Sequence, residues 1–83
     1  DDAARMEIDV RGSSLDDALV AIDRFLDDAV MANLGRVYII HGKGTGVLRS
    51  GIQEYLRKHR LVSAFRSGNY GEGGSGVTVA ELN

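Results

Sequence analysis

His41-Gly42-Lys43-Gly44-Thr45-Gly46 is the segment of this 83-residue chain best suited to chemistry. Glycines let backbone N–H groups approach a ligand closely. A strand that ends in such a turn and opens a helix aims those donors, with the positive end of the helix dipole, at one point beyond the strand's carboxyl end. Phosphate is the ligand this arrangement attracts. The segment is not a Walker A loop, because Gly44 rather than Ser or Thr follows Lys43 and Val37 stands where the first glycine belongs. Nucleotide hydrolysis is therefore not expected. An imidazole such as that of His41 exchanges protons near neutral pH, and a cation such as Lys43 stabilises charge developing on a phosphodiester. Taken alone, the same residues also fit a plain tight turn with a solvated lysine and a hydrogen-bonded histidine.

A second pair of groups can join them. Asp9 and Arg11 lie at the end of an earlier strand, and if the two strands run parallel their carboxyl ends share one sheet edge. A carboxylate, a guanidinium, an imidazole and an ammonium then converge. Asp9 would hold the imidazole tautomer, hold one of the cations, or help coordinate a divalent metal such as magnesium; an acidic strand residue satisfied by backbone donors is the plainer alternative. No cysteine is present, which excludes a disulfide framework, a zinc ribbon and a thiol nucleophile.

The elements that must position these groups follow from periodicity. Met6, Ile8 and Val10 alternate with Glu7 and Asp9, predicting strand 6–10. Ser14 is an N-cap with Asp16 and Asp17 behind it, and Leu15, Ala18, Leu19, Ile22, Phe25, Leu26 and Ala29 form one stripe, predicting helix 15–32. Val37 to Ile40 reads as a buried strand. Leu48, Ile52, Tyr55, Leu56 and His59 share one side of a second helix, and Arg49, Gln53, Arg57 and Arg60 share another. Leu61 to Arg66 reads as a third strand, Ser67 to Ser75 as a glycine-rich connection, and Val77 to Leu82 as a fourth strand. The order is βαβαββ: an α/β sandwich with a mixed four-stranded sheet, parallel neighbours within each strand-helix-strand unit, and both helices on one face.

Charge is divided along the chain. Residues 1–34 carry nine acids and three bases, net −6, whereas residues 35–83 carry seven bases and three acids, net +4. Such a chain can bind an anion on one side and repel it on the other. The size allows a single core and a shallow surface groove rather than a deep tunnel. Apolar runs are far shorter than the roughly 20 residues of a membrane span, so no membrane association is expected and the cytoplasm is the expected compartment. Residues 1–5, polar and without periodicity, read as a linker remnant from a longer polypeptide, with the domain proper at 6–83.

Other motifs carry less. Gly71-Glu72-Gly73-Gly74-Ser75-Gly76 fits G-x-G-x-x-G but lies between strands, so it fails the context of a dinucleotide site. His59 is suited to a helix cap or a packed side chain. Tyr70 is able to stack on a base, though an exposed loop tyrosine is more often uninvolved.

Ile8-Asp9-Val10-Arg11-Gly12, the block His41 to Gly46 with Leu48 and Arg49, and the glycine-rich segment before Val77-Thr78-Val79 resemble the three signature blocks of the Smr (small MutS-related) domain, across residues 6–82. The resemblance implies a fold similar to the C-terminal domain of bacterial translation initiation factor three. It also implies a nucleic-acid-binding endonuclease domain that nicks or cleaves phosphodiesters with weak sequence preference, in recombination suppression or ribosome rescue. The first family block often reads Leu-Asp-x-His; Arg11 replaces that histidine, as in the branch fused to the second bacterial MutS paralogue, so a mechanism needing two histidines does not carry over. Asp9, Arg11, His41 and Lys43 are the catalytic candidates; Gly42, Gly44, Thr45, Gly46, Arg49 and Arg57 are the candidates for nucleic-acid binding. DNA or RNA, the ribosome and upstream domains of the parent polypeptide are the implied partners. A non-catalytic nucleic-acid-binding module, or a protein-docking module using the acidic face of the first helix, are the alternatives.

Overall fold

A computed structural model describes residues 6–83; the expected linker at 1–5 lies outside the described residues. The chain runs β1 (Met6–Asp9), α1 (Leu15–Met31), β2 (Arg36–Ile40), α2 (Val47–Arg57), β3 (Val62–Ser67) and β4 (Val77–Leu82), and two 3₁₀ turns, Tyr70–Glu72 and Gly74–Gly76, occupy the connection before β4. Ser14 Oγ accepts the Asp17 N–H at 3.1 Å and so caps α1, while Asp16 and Asp17 lie in its first turn, where the dipole favours anions. Past its end, Asn33 turns the chain with φ +61°.

The sheet order is β1-β2-β4-β3. β1 runs parallel to β2, pairing Ile8 with Ile39 and Asp9 with Ile40. β4 runs antiparallel to both β2 and β3. The expected parallel neighbour of β2 after α2 is therefore displaced: β3 sits at the sheet edge and β4 is inserted between them. Burial is the reason. β4 is buried at every position but Glu81, whereas β3 carries the exposed Ser63, Ala64 and Ser67 and suits an edge.

One face of the sheet carries both helices. Val37, Ile39, Ala80 and Leu82 pack with Ala18, Ile22, Phe25, Leu26 and Ala29 of α1 and with Ile52 and Leu56 of α2. The helices approach closely at Gly51, where a Cβ would stand 2.5 Å from Leu15 Cδ2. Strand alternation then puts Glu7, Asp9, Tyr38, Ile40 and Arg66 on the opposite, outer face. No helix among the described residues is long and apolar enough to cross a membrane.

Candidate functional site

The β2–α2 loop owes its shape to alternate glycines. Gly42, Gly44 and Gly46 have φ of +81°, +35° and +88°, a left-handed region that residues with a Cβ enter at a cost. Alternating left-handed and ordinary residues turn successive N–H groups toward a common concavity able to hold an anion. The loop is pinned at its start, where the His41 and Gly42 N–H groups both donate to the Gly76 carbonyl at 3.0 and 2.9 Å, and at its end, where the Gly46 N–H donates to the Lys43 carbonyl at 3.1 Å. Gly42's own N–H is thus engaged and unavailable to a ligand. Among the described residues, the amides of Lys43, Gly44 and Thr45 make no hydrogen bond, and those of Leu48 and Arg49 belong to a first helical turn, which has no intrahelical acceptor. These donors border a cleft of about 410 Å³ whose other wall is Gly12 to Leu15. Two helix N-termini, those of α1 and α2, therefore meet at one opening.

His41 is 4% exposed and borders this cleft from below. Its Nδ1 lies 2.8 Å from the Gly42 carbonyl, which can only accept, so Nδ1 carries the proton. Its Nε2 lies 2.8 Å from Thr78 Oγ1, which also accepts from Gln53 Nε2 at 3.0 Å. The Thr78 hydroxyl thus bridges the imidazole and Gln53, and the ring ties the loop to β4 and α2. Sequence reasoning missed Thr78 and Gln53. Thr78 was legible as the inward partner of Ala80 and Leu82; Gln53 stood inside an apparently basic stripe that the structure divides, because Gln53 turns to Thr78 and away from the arginines.

Asp9 does not meet His41. It lies on the outer face and grips Arg11, with Nε to Oδ1 at 3.0 Å and Nη2 to Oδ2 at 2.7 Å, while the Arg11 N–H donates to Oδ1 at 3.0 Å. The Arg11 side chain, followed by its backbone N–H, holds the Asp9 carboxyl down at about 2. The Arg11 stem lies over Gly42, where a Cβ would stand 3.3 Å from Arg11 Cγ. Arg11, Gly42 and Lys43 form one side of an outer cleft of about 760 Å³ whose other side is Gly71, Glu72 and Gly73. The structure therefore brings Asp9 to Arg11 and Arg11 to Lys43, and Lys43 borders both clefts.

The other candidates separate. Thr45, Gly46 and Arg49 line the helix-side cleft, and Lys43 and Arg49 have no ion-pair partner among the described residues. Arg57 lies at the far end of α2, bound to Glu54 at 3.3 Å and 5.3 Å from the Phe65 ring centroid, and is not part of the opening. His59 is a packed side chain: its Nε2 donates to Asp23 Oδ1 at 2.8 Å, and its Nδ1 accepts the Leu61 N–H at 3.1 Å. No group of three His, Asp or Glu side chains gathers among the described residues, and Asp9 is already engaged by Arg11, so this donor set does not fit a divalent cation held by the chain alone.

The sequence profile of the Smr domain matches residues 8–83. The chain belongs to the Smr domain family. Its relatives include proteins named Endonuclease MutS2 from Brevibacillus brevis, 57% identical over 81 residues, and from Caldicellulosiruptor bescii, 60% identical over 77 residues; these matches cover 98% and 93% of this chain. The chain spans only 10% of the length of either protein. The crystal structure of the Smr domain of Thermus thermophilus MutS2 superposes with a TM-score of 0.92 at 42% identity, covering 94% of this chain and 98% of that one. The stand-alone small MutS-related protein YdaL from Escherichia coli shares the fold, with a TM-score of 0.86 at 24% identity over 93% of this chain and 63% of that one. The Smr fold is thus built here with its glycine-rich loop at the shared edge of β1 and β2.

Proposed function

We propose that this Smr domain is a nucleic-acid-binding endonuclease domain that nicks or cleaves phosphodiesters with weak sequence preference. The meeting of two helix N-termini, the unengaged amides of Lys43 to Thr45 and the unpaired ammonium of Lys43 at one opening carries the reading. The amides and Lys43 receive non-bridging phosphate oxygens, and Arg11, held in place by Asp9, offers a second cation across the Gly42 ridge. Preference for sequence is weak because these donors address the backbone and not base edges. The name Endonuclease MutS2 borne by relatives supports the hydrolytic part. In this reading the domain works in the cytoplasm within a longer MutS-like polypeptide, on branched DNA in recombination suppression or on RNA near stalled ribosomes.

A proton delivered by His41 must leave one of its two present hydrogen bonds, since both ring nitrogens are engaged. That observation favours a second reading, a binding module in which His41 only shapes the loop. Cleavage of supercoiled plasmid and of structured RNA, with magnesium and with a chelator, tests the two. For the nuclease, His41→Ala lowers the rate about 100- to 10,000-fold with a much smaller loss of affinity, and the parent's pH–rate profile contains an ionisation that the variant lacks. Equal rates in a preparation free of contaminating nuclease retire the acid–base role and leave the binding module.

A further inference from the structure

Tyr70 is the largest feature that phosphate binding leaves unused. It is fully exposed, at 101% of the reference area, yet the turn that presents it is braced. The Asn69 N–H donates to Glu72 Oε1 at 2.8 Å, and the Glu72 and Gly74 N–H groups both donate to the Asn69 carbonyl, at 2.9 and 3.0 Å. Arg66 reaches from β3 and grips the same carboxylate twice, at 2.7 and 3.1 Å. Gly68 closes the base of the turn by donating to the Val77 carbonyl at 2.9 Å. A ring on so tied a turn loses little conformational freedom when it stacks against a ligand.

The position of the turn indicates what that ligand is. Gly71 to Gly73, next to Tyr70, form the wall of the outer cleft that faces Arg11 and Lys43. A strand whose phosphate rests on Lys43 at this cleft has a neighbouring base beside the Gly71 to Gly73 wall, on the Tyr70 side. We infer that Tyr70 is a stacking platform for an unpaired nucleobase, so that single-stranded or locally opened nucleic acid is the preferred ligand of this site. Bases in a duplex are stacked on one another and offer no free face, whereas every unpaired base has one. The inference rests on the phosphodiester-binding reading above.

The test is fluorescence anisotropy of the 83-residue chain with a labelled single strand of about 12 nucleotides and with the matching duplex. Tyr70→Ala weakens single-strand binding about 5- to 100-fold, the loss of one base–aromatic stack. Tyr70→Phe retains it, and duplex affinity stays at the parent value in both variants. Single-strand affinity unchanged in Tyr70→Ala, or lowered equally on both ligands, overturns the stacking role. Lys43→Ala separates the two proposals. If it weakens both ligands while Tyr70→Ala weakens neither, only the stacking inference falls; if Lys43→Ala also binds as the parent does, or the parent binds neither ligand, the phosphodiester reading falls with it.

Discussion

At the residue scale, the neighbourhood of His41 combines burial with complete hydrogen bonding, so its partners matter as much as the ring. Thr78→Val keeps the shape of the side chain and removes the hydroxyl, leaving His41 Nε2 and Gln53 Nε2 facing an apolar methyl. Destabilisation of about 1–3 kcal/mol is expected, measured as a fall in the denaturant midpoint at constant slope. Gln53→Leu, at the half-buried end of the chain of bonds, should cost less. The Asp9–Arg11 and Glu72–Arg66 pairs make a pH prediction. Arg11 holds Asp9 at about 2, and Arg66, helped by the Asn69 N–H, holds Glu72 at about 2. Both carboxyls ionise more readily folded than unfolded. Their contribution to stability is therefore fully present above the ordinary carboxylate range and is lost as pH falls through about 2. Carboxyl carbon shifts followed by NMR should show these two groups titrating below the ordinary carboxylate range; midpoints within that range would mean that the forks are open in solution.

At the element scale, the loop between β2 and α2 works only because left-handed residues recur at alternate positions. Gly44 is the cleanest probe: a Cβ there meets nothing within 4 Å, so any effect of substitution is conformational and not steric. Gly44→Val forces a β-branched residue to φ near +35°, at a cost of about 1–2 kcal/mol, and should weaken phosphate binding as the loop relaxes. Gly44→Asn should lose less of both, since asparagine tolerates the left-handed region. Stability and anisotropy measured on the same preparations check this, and parent-like affinity in Gly44→Val would reduce the loop to a turn. The braced turn at Tyr70–Glu72 belongs to the same scale, because the segment reads in sequence as a loose glycine-rich connection and is organised by Arg66 from a neighbouring strand.

For the whole molecule, charge is segregated and the opening faces one way. Four of the seven basic residues of the second half are ion-paired, Arg36 with Glu81, Arg57 and Lys58 with a shared Glu54, and Arg66 with Glu72. Lys43 and Arg49 remain as net cations at the helix-side cleft. Neutralising about two phosphates gives a log affinity that falls with log salt at a slope of about −2 for duplex, and Lys43→Ala should reduce that slope by about 1. Chemical-shift changes on titration with oligonucleotide should cluster on residues 42–49 and avoid the acidic face of α1. A flat salt dependence, or the largest changes on Asp16, Asp23 and Asp27, would favour protein docking through α1.

Periodicity and glycine placement by themselves determined the six elements and the loop that opens α2, because strand and helix patterns and left-handed positions are local properties of the chain; the second helix is the exception in length, ending at Arg57 and leaving His59 and Arg60 beyond it. They also determined that Asp9 and Arg11 share an edge with His41 and Lys43, since β1 and β2 are parallel. What the tertiary structure decided was which face each group takes and which strand lies beside which. Asp9 pairs with Ile40, so alternation puts its carboxylate on the outer face while His41, the next residue after Ile40, turns inward to Thr78. β4 took the centre because it is the more apolar strand, and only that insertion brings Thr78 to His41 and the Gly76 carbonyl to the loop. These partners lie more than thirty residues away in sequence, beyond the reach of any local pattern, and burial in the shared core is what selects them.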